Sequence, residues 1–112
     1  WSGNDNETLP ILALGGYGVI SVASHLVGTQ IKGMIELALD GQIGKAACEH
    51  LRLHPLFKIL FVISSPIPVK YALHRMGRIE EVYRLPLCPL SNQNKKKMDQ
   101  ELEKVNLVAS DD

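Results

Sequence analysis

The sequence predicts a mainly α-helical chain carrying one buried strand that belongs to a larger α/β protein. Three observations point there. Residues 19–22, Val-Ile-Ser-Val, form a short β-branched run, the pattern of a strand covered on both faces of a parallel sheet. Apolar residues recur at helical spacing through most of the chain beyond residue 24. No second strand pattern is visible, nor the crossover connections that parallel partners require. A lone buried strand leaves its backbone N–H and C=O groups unpaired, so the expectation is the closing part of an α/β protein.

Taken in order, Ser2, Gly3, Asn4, Asp5 and Asn6 make a loop of turn formers that also supplies helix caps. A short helix carrying Leu9, Leu12 and Ala13 follows, with Pro10 in its first turn, and stops at Gly15 and Gly16. The strand occupies 18–22, and Ala23, Ser24 and His25 form a second capping region. Ile31, Met34, Ile35 and Ala38 stand at i, i+3, i+4 and i+7, an amphipathic stripe that Gly41 ends. From residue 42 to about 62 the pattern is helical again, offering Ile43, Ala46, Ala47, Leu51, Phe57 and Leu60 for packing. Ser64, Ser65 and Pro66 break it. Pro68 opens the next helix, which runs to Gly77. Residues 78–90 form a connector with Pro86 and Pro89. Ser91 caps a last helix whose seam is Met98, Leu102 and Val105, and whose other face is a solvated run including Lys95, Lys96 and Lys97.

Composition excludes several functions. Twelve basic residues balance twelve acidic ones, so nucleic acid is not an expected partner. The longest apolar stretch, residues 56–63, is interrupted by Lys58 and too short to cross a bilayer. The first residues lack a signal-peptide layout, and Trp1 at the start suggests that the natural beginning lies upstream. Cys48 and Cys88 have no CxxC neighbour and read as reduced, buried thiols of a cytosolic protein.

Candidate chemistry is sparse. Gly16 and Gly18 invite comparison with a dinucleotide fingerprint, but they follow a helix and enter a strand, and Ser21 stands where a third glycine belongs. They read instead as a tight helix-to-strand turn. His50 and His54 have the i, i+4 spacing of a metal pair, but Leu51 replaces the Glu of a zincin, no third ligand is evident, and two structural histidines are the simpler reading. Ser21 lacks a GxSxG elbow and reads as a small residue in a packed strand. Lys70, just after Pro68, has nothing to desolvate its amine and reads as an ordinary surface lysine. The Ser2-Gly3-Asn4-Asp5 loop is either a helix cap or a set of backbone donors for an anion such as a carboxylate.

Four blocks together resemble one family. Ser-Gly-Asn-Asp at 2–5, Leu-Ala-Leu-Gly-Gly-Tyr-Gly-Val-Ile-Ser-Val at 12–22, Pro-Ile-Pro-Val-Lys at 66–70 and Arg-Leu-Pro-Leu-Cys-Pro-Leu at 84–90 resemble the C-terminal part of dihydrodipicolinate synthases, whose product is written 4-hydroxy-tetrahydrodipicolinate. The resemblance covers essentially the whole chain. It implies a parent with a (β/α)8 TIM barrel followed by a helical C-terminal domain. Residues 1–28 would be the last part of the barrel, with 18–22 as its eighth strand and Ser2 and Gly3 just past the seventh. Residues 29–112 would be the helical domain.

The resemblance also implies an activity. Such enzymes are cytoplasmic lyases that condense pyruvate with aspartate semialdehyde in lysine and diaminopimelate biosynthesis. Pyruvate forms a Schiff base with a lysine on the sixth strand, and tyrosines of earlier strands relay protons. All of these lie upstream of Trp1, as do the residues of the inhibitory lysine site. No metal and no organic cofactor is implied, a homo-oligomer is, and this chain holds no catalytic residue. Ile20 matches a position whose backbone carbonyl borders the pyruvate pocket, and Gly3 matches a loop glycine of that pocket. Ser65 stands where Asn is frequent, and Asn4 where Asp is common. Two alternatives stay open: a stand-alone helical interaction or oligomerisation module, and a sibling aldolase, akin to N-acetylneuraminate lyase, with another aldehyde substrate.

Overall fold

The computed structural model describes residues 1–109, so the last three residues of the helical domain expected over 29–112 lie outside the described residues. A 3-10 turn, Asp5–Glu7, leads into α1 (Thr8–Ala13), α2 (Ser24–Leu39), α3 (Ile43–Ile59), α4 (Ile67–Arg75) and α5 (Asn92–Lys104). Two compact units divide between Phe57 and Lys58, in the last turn of α3. No helix among the described residues is long and apolar enough to cross a membrane.

In the first unit α1 packs on α2. Leu12, Met34, Ala38 and Ala46 form a buried cluster edged by Leu9, Ile35 and Leu37, so Met34 and Ala38 of the predicted stripe lie in it and Ile35 at its edge. Helix α2 begins earlier than that stripe. Of the region expected to cap it, Ala23 is the N-cap while Ser24 and His25 open the first turn, and a kink follows at Val27 (φ −127°, ψ 36°), whose side chain is fully buried. The boundary expected at 28/29 falls beside this kink, whereas the compact units part at 57/58.

The strand expected over 18–22 is present only as a bridge. Among the described residues β pairing is a single parallel bridge between Ser2 and Val19. The Ser2 N–H donates to Gly18 O at 2.8 Å, and the Ile20 N–H to Ser2 O at 2.9 Å. Residues 18–22 therefore have a partner, but over one residue pair. Two hydrogen bonds do not propagate a ladder, because strand stability comes from successive cross-strand pairs and further strands. The fold is mostly helical, with no strand among the described residues.

Four helices stop alike. After α1, α2, α4 and α5 the chain turns left-handed at Gly15, Gly41, Gly77 and Asn106. The next N–H then reaches back: Gly16 to Ile11 O, Gln42 to Leu37 O, Arg78 to Leu73 O and Leu107 to Leu102 O, at 2.8 to 3.0 Å. This satisfies carbonyls that the helix leaves unpaired. The glycine stops match the sequence expectation, and asparagine tolerates the same conformation at the fourth.

In the second unit α4 packs on α5. Ile67, Pro68, Val69, Tyr71 and Ala72 are buried from α4, and the expected seam of Met98, Leu102 and Val105 is buried from the other side. Ser91 caps α5 as expected, its Oγ accepting the Asn94 N–H at 3.3 Å. Cys48 and Cys88 are free, as expected, but both are exposed rather than buried. Cys48 falls on a solvent-facing part of α3 and Cys88 in the connector, where no core is available to cover them.

Candidate functional site

The two sequence-derived site residues, Gly3 and Ile20, directly follow Ser2 and Val19, the pair joined by the parallel bridge. Gly3 is exposed, and a Cβ there would meet nothing within 4 Å. Ile20 is 74% exposed, with its N–H held by Ser2 O. Trp1 lies edge-on to Tyr17, ring centres 5.4 Å apart. Trp1, Tyr17 and Ile20 are exposed apolar side chains at this end of the first unit. Beside it an open groove of about 360 Å³ runs along α2, lined by Tyr17, Val19, Ser21, Ile31, Ile35 and Leu39 among others.

Asp5 holds this end together, a role the sequence reading missed. It is buried, and its Oδ1 accepts the Ser21 hydroxyl. Its Oδ2 accepts the N–H groups of Val22 and Ala23 at 3.2 and 3.0 Å, immediately ahead of α2. Ser21 Oγ in turn accepts the Ser24 N–H at 2.9 Å. Ser21 therefore ties the preceding loop to the first residue of α2, and the Asp5 carboxylate sits at the positive end of the helix. The Asn4 N–H is taken by Ser2 Oγ at 3.2 Å, and the loop contributes a carboxylate to its own chain. Its partners lie 16 to 18 residues away, so no local pattern announces it.

The remaining candidates divide plainly. Gly16 is used up in the turn, its Cα facing the Ile11 carbonyl. Lys70 lies with Nζ 5.7 Å over the Tyr83 ring, a cation–π contact. Among the described residues no group of three or more metal-ligating side chains occurs.

The second unit carries a polar cluster between α4 and α5. The Tyr71 hydroxyl donates to Asp99, both oxygens at 3.1 Å, and Arg75 Nε reaches Asp99 Oδ1 at 2.8 Å. Lys95 pairs with Glu81 at 2.7 Å. Burial, then the Asp99 carboxylate, pushes the Tyr71 hydroxyl up to about 12. Burial and Glu81 push Tyr83 up to about 12 likewise. For Tyr71 the folded chain holds the proton more tightly than the unfolded chain, which releases it near pH 10. The associated stability is present below pH 10 and is lost as pH rises toward 12, by up to about 2 kcal/mol. Urea unfolding at pH 9 and pH 11.5 measures that loss, and Tyr71→Phe removes part of it.

Residues 1–105 match the family described as the dihydrodipicolinate synthetase family. The chain is 50% identical over 107 residues to the 4-hydroxy-tetrahydrodipicolinate synthase of Pelodictyon phaeoclathratiforme, covering 96% of this chain and 36% of that protein. Against the crystal structure of the Thermotoga maritima dihydrodipicolinate synthase the TM-score is 0.94 at 42% identity, covering 96% of this chain and 37% of that one. The chloride-inhibited synthase from Acinetobacter baumannii, complexed with pyruvate, gives 0.90 at 33% identity, with 96% and 37% covered. The chain spans just over a third of the length of these relatives.

Proposed function

The chain belongs to the dihydrodipicolinate synthetase family, and from that premise we propose that it is the C-terminal part of a Schiff-base lyase condensing pyruvate with aspartate semialdehyde on the way to lysine and diaminopimelate. The observation that carries this reading is the unequal coverage: nearly all of this chain aligns, but only 36% of its relative. The Ser2–Val19 bridge supports it, because parallel pairing of this kind belongs to a βα barrel continued by further strands. The pyruvate held by the Acinetobacter baumannii relative supports the choice of substrate.

In this reading residues 1–28 close a barrel and 29–112 form the appended helical domain. Gly3 and Ile20 border the pyruvate pocket, at the C-terminal ends of adjacent staves where barrel ligands bind. The Schiff-base lysine and the proton-relaying tyrosines belong to the upstream two-thirds, so this chain alone is inactive. The parent is cytoplasmic and homo-oligomeric, and needs no metal or organic cofactor. Incubating the 112-residue chain with pyruvate and borohydride tests the assignment, since reduction makes any imine permanent. Mass spectrometry is expected to show no adduct. A pyruvyl adduct on Lys70 or any other lysine overturns the inactivity.

A further inference from the structure

Resting on the reading of this chain as the closing part of a lyase, we propose that the outer edge of residues 18–20 and the groove beside it are one docking surface. Its occupant is the upstream part of a lyase of this family, supplied as a separate polypeptide. In the Ser2–Val19 bridge, Gly18 O and the Ile20 N–H face Ser2. Backbone groups alternate in direction along an extended segment, so the Val19 N–H and C=O point to the opposite edge. Among the described residues nothing in this chain bonds to either. An open edge of that kind is a template for another strand.

The groove adds a helix to what that edge takes up. It holds about 360 Å³ and runs from Tyr17 and Val19 along Ile31, Ile35 and Leu39 of α2. The last three stand at i, i+4 and i+8, a ridge of the kind against which another helix packs. Met34 and Ala38, on the neighbouring side of α2, are already packed in the cluster with Leu12 of α1, whereas Leu39 and Tyr17 are exposed. A strand joins a parallel neighbour through a crossover, usually a helix, and parallel sheets are covered on their faces. The occupant is therefore a strand parallel to 18–20 whose helix lies along the α2 ridge, rather than a lone peptide. Such a partner exists in the family, because this chain spans only 36% of its Pelodictyon relative. Its backbone already has the shape of the matching part of the whole Thermotoga maritima synthase, with a TM-score of 0.94. Little ordering entropy then opposes association.

Co-expressing the tagged 112-residue chain with the part of the Pelodictyon synthase upstream of the matched segment tests this. The two are expected to co-purify one-to-one, with the Val19 N–H protected from hydrogen exchange only in the complex. Val19→Pro removes that N–H and leaves both hydrogen bonds to Ser2 in place, while Leu39→Asp puts a charge in the groove. Together they are expected to weaken association by about tenfold or more. Recovery of the tagged chain alone, or as a dimer of itself, overturns the surface, as does association undiminished in the double variant. Where that variant fails to fold, exchange at Val19 in the unmodified chain decides the matter. Pyruvate and borohydride then separate this surface from the lyase reading. An adduct on a lysine of the upstream piece upholds both, and a complex that traps no pyruvate upholds the docking surface while counting against the lyase.

Discussion

Replacing Asp5 by alanine is expected to lower the unfolding free energy by about 3 kcal/mol, read as a shift of the urea midpoint at constant slope. The carboxylate takes three donors at once: the Ser21 hydroxyl and the N–H groups of Val22 and Ala23. Hydrogen bonds to a charged group contribute about 1.5–3 kcal/mol each, and removing the shared acceptor strands all three donors where water enters poorly. Asp5→Asn should fall between the wild type and alanine, because one amide oxygen replaces two acceptors and an NH2 faces backbone donors. Ser21→Ala should cost about 1 kcal/mol, the value of a lost hydrogen bond. The two changes should not add, since they break one network. An Asp5→Ala chain within about 0.5 kcal/mol of wild type, the range of an ordinary surface substitution, would mean that the carboxylate merely accompanies the loop.

The sequence discloses what is decided within a few residues. Ile31, Met34 and Ala38 of the predicted stripe became a buried helix face, with Ile35 half-buried beside them, and Gly15, Gly41 and Gly77 became left-handed stops, because helical periodicity and positive φ are local properties. Residues 19–22 show the limit of such reasoning. A β-branched run reports a preference for extended backbone, but a ladder exists only where partners supply successive pairs. With one short segment at Ser2 alongside, it stays a bridge, and Ile20, expected to be covered, stands exposed. The family blocks made Gly3 and Ile20 legible as candidates. Nothing local could reveal that Asp5 reaches Ser21, or that Tyr71 and Arg75 converge on Asp99 from 28 and 24 residues away. Such pairs are set by how helices pack, and the sequence between them carries no spacing rule.

The Gly-Gly-Tyr-Gly turn offers the second large effect, because its three glycines are small for different reasons. Gly15 has φ 92° and open space around a would-be Cβ, so Gly15→Ala costs only the left-handed backbone, about 1 kcal/mol. A Cβ on Gly16 would lie 2.7 Å from the Ile11 carbonyl oxygen and 2.5 Å from Ile11 Cγ2. That oxygen is the acceptor for the Gly16 N–H itself. Relieving the clash requires opening the stop of α1, so Gly16→Ala is expected to cost about 3 kcal/mol. Trimming Ile11 to alanine in the same chain should recover little, because the backbone oxygen remains in place. At Gly18 the clash is with the Trp1 ring at 2.5 Å, a side chain that is 72% exposed and free to swing aside. Gly18→Ala should therefore cost under about 1 kcal/mol. Urea midpoints for the three alanine variants measure the order directly. If Gly18→Ala proved the most damaging, the Trp1 packing rather than the α1 stop would be what fixes this turn.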